Sequence, residues 1–404
     1  MKIKCSYRDD YFNQDGLKLL ALTLFFAAGT YGVKAMLISL GLSSLQSIGS
    51  LVIYLIWMKT LIIFLLKNQF IVKSVIIYEL IYIFILAVNY FVFIDTKPYY
   101  LEYKMFLRQI LIVFIPAGAI AANITDYNNA FFYMKKTAVF GSFFMIVALF
   151  LGYTSIWDYQ YFGVQISPFA IILYGNYYFE HKFSDMALCI TDIIFVLFGG
   201  RQSFFIVLIG MFFVFYFHIK NKRKRLLFII SMLFIGILLY AILPIFISLI
   251  IEIAKLVHLD TRTLEMLANG ELVDISTRTI IYDTSINIIK RKGYMVTGLF
   301  SDRYLIRNYG SYMSWIAYPH NFVLEVLIDF GTVLGLLILV WILTKTIKQF
   351  VCFTVYKRSI FGLFFSLVII RLFVSSSFMI EGLFYVYLGF LFSERDETYD
   401  NVIF

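Results

Sequence analysis

The sequence is short of charge. Of its 404 residues only 15% are Asp, Glu, Lys or Arg, against about 25% in an ordinary soluble domain. It is also short of proline (five), histidine (four) and cysteine (three). The scarcity of charge excludes a soluble globular protein, and no stretch is polar enough for a separate soluble domain. No proline- or serine-rich linker stands out, and neither does an internal repeat. Cys5, Cys189 and Cys352 are scattered, so no external disulfide is expected and no metal site is suggested. With so few histidines, the position of each is worth a question. His320 stands at the mouth of an apolar run, in "AYPHNFVLEVLIDFG", residues 317–331.

What the sequence does contain is apolar surface: 61% hydrophobic residues, 20% aromatic, and a mean hydropathy of +0.86. A spanning helix needs roughly 20 apolar residues. Candidate spans fall near 17–40, 45–66, 71–94, 105–122, 137–153, 166–179, 183–199, 202–218, 226–251, 321–342, 359–375 and 378–392. This predicts an all-α integral membrane protein, a polytopic bundle of about 12 helices forming one membrane domain over residues 1–404. The first run follows a charged stretch, Met1 to Asp15, and exceeds the core of a signal peptide. It is expected to remain as an uncleaved membrane helix.

The formal net charge of +9 reads as topology rather than as affinity for nucleic acid, because Lys and Arg collect on the cytoplasmic side of membrane helices. In a twelve-span arrangement the N-terminal basic residues, Lys67, Lys73, Lys135, Lys136, Lys182, the cluster "HIKNKRKR" (218–225), Lys345, Lys348, Lys357 and Arg358 share one side. The loops at 41–44 and 154–165, on the other side, carry no Lys or Arg. Both termini are therefore expected in the cytoplasm, with the one long loop, 252–319, outside. Long external loops escape the charge rule, so the arginines of that loop do not contradict the orientation. Short helices are expected within it near 253–268 and 277–291.

Arginines beside apolar spans are costly. Arg201 sits in a tight turn after two glycines. Arg108 lies near the end of the fourth span and Arg371 in the eleventh, and the loop adds Arg278, Arg303 and Arg307. A single arginine of this kind can simply snorkel to lipid headgroups. Several on one face suit an anionic ligand, since a guanidinium fork binds phosphate oxygens bidentately and stays charged. Gly199 and Gly200 permit close backbone approach.

Pro319 suits a helix start and Asn321 a cap, which places His320 at a helix N-terminus. The positive helix end disfavours protonation there, and a neutral imidazole can accept a proton from a hydroxyl. Asn321, Glu325 and Asp329 recur every four residues and line one face. Spacing alone leaves two readings open: a cap and packing motif, or a catalytic group. Asp192, Lys34, Glu79 and Asn89 read as ordinary paired groups. The carboxylates Asp260, Glu265, Asp274, Asp283 and Asp302 make no compact metal pattern, and His181, His218 and His258 receive no role.

Three stretches together resemble the O-antigen ligase and O-antigen polymerase superfamily: "GGRQS" (199–203), "STRTIIYDTSINIIKRKGYMVTGLF" (276–300) and "PHNFVLEVLIDFGTVLG" (319–335). None of the arginines in 252–319 is followed by glycine eleven residues on, as occurs in some of the polymerases. The resemblance implies a bacterial inner-membrane glycosyltransferase related to the C-type membrane enzymes. It implies an active site on the external face and a polyprenyl-diphosphate-linked glycan as donor and acceptor, without metal or cofactor. Arg201 and Arg278 would hold diphosphate, and His320 would stand at the catalytic centre. Arg303, Arg307, Arg108, Arg371, Asn321 and Glu325 would bind substrate. Membrane lipids are expected partners, and the family allows a chain-length regulator protein. A polymerase is the expected activity. A ligase acting on a lipid A core or a protein shares the chemistry, and a lipid-linked oligosaccharide flippase is the reading from another class.

Overall fold

The computed structural model describes residues 3–152, 159–199, 201–219, 221, 223–231, 275–309 and 318–393, with isolated positions between 247 and 265. Among the described residues every regular element is helical. In chain order these are α1 (Ile3–Ser39), α2 (Gln46–Lys67), α3 (Gln69–Val92), α4 (Lys97–Glu102), α5 (Lys104–Gln109), α6 (Ile115–Asn123), α7 (Ala130–Gly152), α8 (Tyr159–Glu180), α9 (Phe183–Leu197), α10 (Arg201–His218), α11 (Ile275–Lys292), α12 (Ser301–Tyr309), α13 (Phe322–Cys352), α14 (Val355–Val374) and α15 (Gly382–Phe392).

Apolar runs become helices because a backbone without water must satisfy its own polar groups. Six stretches are long and apolar enough to cross a membrane: Tyr11–Ser39, Ser43–Lys67, Gln69–Val92, Lys104–Asn123, Ala130–Leu151 and Phe322–Cys352. Gln202–His218 and Gly382–Phe392 are apolar but shorter. Six spans, rather than about twelve, thus meet the measure among the described residues. The run expected at 226–251 and the short helix at 253–268 lie largely outside the described residues, whereas the helix expected at 277–291 is α11. Ile, Leu, Val and Phe side chains stay exposed along α2, α3 and the second half of α13, as lipid-facing helices do.

One compact unit comprises Met1–Phe64, Asp126–Val273 and Thr354–Leu367. In it α1 packs on α7, α7 on α8, and α8 on both α9 and α10. Gly199, just beyond α9, meets α8 backbone to backbone: a Cβ there would lie 2.4 Å from the Gly163 Cα. Polar groups on the helices pair with one another. Asp185 accepts from Lys135 Nζ at 2.7 Å and from Asn176 Nδ2 at 2.5 Å, and Asp192 accepts from Ser142 Oγ at 2.6 Å.

The other compact unit comprises Leu65–Thr125, Asp274–Phe353 and Val368–Phe404. Here α6 packs against α3 and α15. Helix α13 is broken at Gly331, whose backbone (φ 71°, ψ 168°) no helix contains. The break frees carbonyls that the segment after α11 satisfies. Asp329 O accepts from Thr297 N at 3.1 Å and Gly298 N at 2.9 Å, and Ile328 O accepts from Thr297 Oγ1 at 2.6 Å. Gly293 O accepts from Thr332 Oγ1 at 2.8 Å. Asn89, inside α3, clamps the same segment: Leu299 N donates to its Oδ1 at 2.7 Å, and its Nδ2 donates to Tyr100 Oη at 2.5 Å. The roughly 20 residues that follow Gly331 rise about 30 Å, enough for a hydrocarbon core on their own. The half-helix before the break is therefore not needed for spanning and can carry polar groups.

Candidate functional site

The site begins at the start of α13. Asn321 has an extended backbone (φ −150°, ψ 115°), and its Oδ1 accepts from Val323 N at 3.0 Å and Leu324 N at 3.3 Å. It is the N-cap that its position predicts. Directly before it, His320 adopts φ 53°. That left-handed conformation is uncommon for any residue but glycine, and such outliers gather at functional sites. The His320 ring is half-buried against Tyr318, with ring centroids 4.1 Å apart. The Ser375 carbonyl oxygen accepts from Tyr318 Oη at 2.8 Å. Burial, joined by the positive charges of Arg278 and Arg303 and opposed by the Ser375 backbone, pushes the imidazole down to about 4. His320 is thus neutral across the physiological range. A neutral imidazole carries a lone pair on one of its two ring nitrogens.

Below His320 lies a cluster of ionisable side chains with no exposure: Asp302 and Arg303 from α12, and Glu325 and Asp329 from the first half of α13. Arg303 Nη1 donates to Asp302 Oδ1 at 2.7 Å and Oδ2 at 2.9 Å, and to Glu325 Oε1 at 3.4 Å. Its Nη2 donates to Ser377 Oγ at 2.6 Å. The guanidinium also lies 4.9–5.3 Å from the ring centroids of Phe300, Tyr103 and Tyr318, an arrangement favourable to a buried cation. Asp329 Oδ1 accepts from Ser301 Oγ and from Asp302 N, each at 3.0 Å. Burial pushes the Asp302 carboxyl above the usual carboxylate range, against the pull of Arg303.

Asp302, Glu325 and Asp329 are the group among the described residues that could hold a metal ion, with ligand oxygens within 4.8 Å of one another. Arg303 already bonds two of those three carboxylates, and it neutralises part of their charge as a cation would.

The remaining expected residues separate. Arg278, on α11, is half-buried and close enough to bias His320 electrostatically. Arg307 pairs with Glu102 at 3.3 Å over the Tyr99 ring. Arg371 pairs with Glu381 at 2.7 Å, and Glu381 also accepts from Ser376 Oγ at 3.0 Å. Arg108 is exposed on α5. Arg201 is the first residue of α10, in the other compact unit, and its side chain lies outside the described residues. Arg303, expected at a substrate surface, instead stands inside the carboxylate cluster.

The sequence offered Asp302 only as one of several scattered carboxylates and gave no sign of Tyr318, while the three consecutive serines at 375–377, in an otherwise apolar neighbourhood, are the signal by which Ser375 and Ser377 could have been found.

Residues 186–340 match a family model described as O-antigen ligase. The match contains the whole of the 199–203, 276–300 and 319–335 stretches, and with them His320, the Asp302–Asp329 cluster and Arg278. No curated protein and no solved structure matches the chain.

Proposed function

We propose, from the match of residues 186–340 to a family model described as O-antigen ligase, that the chain is a member of the O-antigen ligase/polymerase superfamily and joins glycans carried on a polyprenyl diphosphate. His320 is the general base. A sugar hydroxyl of the acceptor gives its proton to the free ring nitrogen and attacks the anomeric carbon of the donor glycan. The bond from that carbon to the diphosphate oxygen breaks, and polyprenyl diphosphate leaves with the electron pair. Arg278 stabilises the charge growing on the leaving group. Arg201, carried over from the resemblance, has the same proposed task. The Asp302–Arg303–Glu325–Asp329 cluster is the buried support beneath His320.

The observation that carries this reading is a neutral, half-buried histidine in a strained backbone at a capped helix start, with an arginine beside it. A packing motif needs the cap but gains nothing from the strained histidine. We favour the polymerase over the ligase because the high aromatic content, 45 Phe and 30 Tyr, resembles that of such polymerases. An assay with purified protein separates the two. Given lipid-linked repeat units as the sole substrate, a polymerase elongates them, whereas a ligase makes product only when a lipid A core or protein acceptor is added. His320→Gln should bind the donor and lose about 10²–10⁴-fold in turnover, the usual contribution of general base catalysis. Normal turnover in that variant would remove the general-base role.

A further inference from the structure

The half-helix before Gly331 has two distinct faces. Asn321, Glu325 and Asp329 recur every four residues on one, and Phe322, Val326 and Phe330 recur every four on the face beside it. The polar face carries the buried cluster. The apolar face meets the second half of the same helix, because the break folds the two halves together. A Cβ on Gly335 would lie 3.0 Å from Val326 O and 3.2 Å from Leu327 Cα, whereas an unbroken helix would hold those residues about 12–13 Å apart along its axis. Ile338, Trp341 and Ile342 follow Gly335 at helical spacing on the second half.

Between these two half-helices, α3 and α15 lies a cavity of about 210 Å³. Seven of its fifteen lining side chains are aromatic and the rest are aliphatic or Met, so the ligand it suits is hydrocarbon. An apolar space of this kind stays dry and takes up apolar groups. Phe322, Phe378 and Phe384, with ring centroids 5.6–6.0 Å apart, line it where α13 begins. Ile85 of α3 lines it as well and is exposed, so the wall is incomplete on the side of a lipid-facing helix.

Position and chemistry identify the occupant. Phe322 stands two residues after His320, and Phe378 directly follows Ser377, so the cavity begins where the reaction centre ends. A donor held by its diphosphate beside His320 must send its prenyl chain into hydrocarbon from that point. Such a chain carries planar double bonds and methyl branches at regular intervals, and flat unsaturated groups lie well against aromatic rings. A phospholipid acyl chain is mostly a string of methylenes and gains less from them.

We propose that this cavity binds the polyprenyl chain of the lipid-linked donor at the units next to the diphosphate, and that Phe330, Trp341 and Phe378 select unsaturated, branched chains over straight saturated ones. This rests on the reading above of the substrate as a polyprenyl-diphosphate-linked glycan.

The test uses the full-length protein in phospholipid nanodiscs and a polyprenyl phosphate that carries no glycan and bears a diazirine on the chain near the phosphate. Photolabelling and peptide mass spectrometry should place the label on cavity-lining residues of α13 and α15. Unlabelled polyprenyl phosphate should suppress the label, and a phosphate with straight saturated chains should need about threefold to tenfold more, the range of an aromatic contact. The double variant Phe330→Leu/Trp341→Leu should lose that preference, and its full persistence overturns the selectivity. Ile338→Trp, which fills the cavity, should cut labelling about tenfold, since each methylene kept out costs about fourfold. It should raise KM for the lipid-linked donor by a similar factor and leave kcat within about twofold, because the filled region is remote from the reacting atoms. Label outside the cavity, undiminished labelling in a folded Ile338→Trp protein, or equal suppression by the straight-chain phosphate in the wild type overturns the proposal. The last outcome would make the cavity a seat for ordinary membrane lipid. Should Ile338→Trp fail to fold, Leu388→Trp fills the cavity from α15, and the wild-type measurements remain decisive. Labelling needs no turnover, so the two readings fail separately. Cavity labelling without glycan transfer leaves this proposal standing and sinks the transferase, whereas transfer without cavity labelling does the reverse.

Discussion

A Cβ placed on Gly331 would lie 2.5 Å from the Tyr294 carbonyl oxygen. The break in α13 and the segment after α11 thus occupy each other's space, and only a residue without a side chain allows it. The same glycine has φ 71° and ψ 168°, a region that L side chains avoid.

Gly331→Ala should therefore destabilise the protein by at least ~1–3 kcal/mol from backbone strain, with the clash against Tyr294 and Met295 adding to it. The thermal midpoint of the purified protein in detergent measures this. An unchanged midpoint would mean that α13 straightens without loss, and the break would then have no structural role.

Asn321→Ala and His320→Gln should part company. Losing the cap costs about 1 kcal/mol of stability, and Asn321→Ala should keep most of its turnover. His320→Gln should keep its stability and lose turnover. Paired melting and turnover measurements distinguish them, and equal turnover losses would point to a shared structural cause.

The pH profile follows from the depressed His320 value of about 4. A base must be unprotonated, so the acid limb of kcat/KM that His320 contributes should fall near pH 4, not near the ordinary 6.5. For stability, the unfolded chain binds the His320 proton at a higher pH than the folded one does. The folded state is therefore penalised progressively as pH drops from about 6.5 to about 4, and not above that window. Burial is the larger cause and Arg278 the next, so Arg278→Gln should move the His320 titration partway upward. NMR titration of 15N-histidine-labelled protein reads this directly, and an unmoved titration would show that Arg278 does not act on His320.

Arg278→Ala should abolish product at unchanged protein level, and Arg278→Lys should recover little, because Lys keeps the charge but loses the planar fork. Arg201→Ala and Arg201→Lys should behave alike if the diphosphate role carried by the resemblance is right. Full activity in either lysine variant would reduce that arginine to a simple point charge.

The expected orientation is tested by labelling intact cells or spheroplasts with a thiol reagent that cannot cross the membrane. It should reach a cysteine placed at Asn269 and spare one placed at Asn221. The reverse pattern would invert the topology.

The sequence by itself determined the helical membrane class, because apolar runs of this length leave a backbone no other way to satisfy itself. It also determined the capped start of α13, since "PHN" before an apolar run carries its own local chemistry, and it ordered the segments that the family model matches. The Asn321–Glu325–Asp329 face was legible for the same reason: a helical period is local. Tertiary structure decided the rest. Asp302 and Arg303 meet Glu325 and Asp329 across more than 20 residues, and Ser377 reaches Glu325 from 52 residues away. Burial of charge is a property of the packed surroundings and not of the residue, which is why Arg303 looks in sequence like an exposed phosphate ligand and is in the fold the centre of a closed cluster. The helix break at Gly331 was equally hidden: one glycine in an apolar run is compatible with an unbroken helix, and only the carbonyl oxygens of Tyr294 and Met295 beside it decide otherwise.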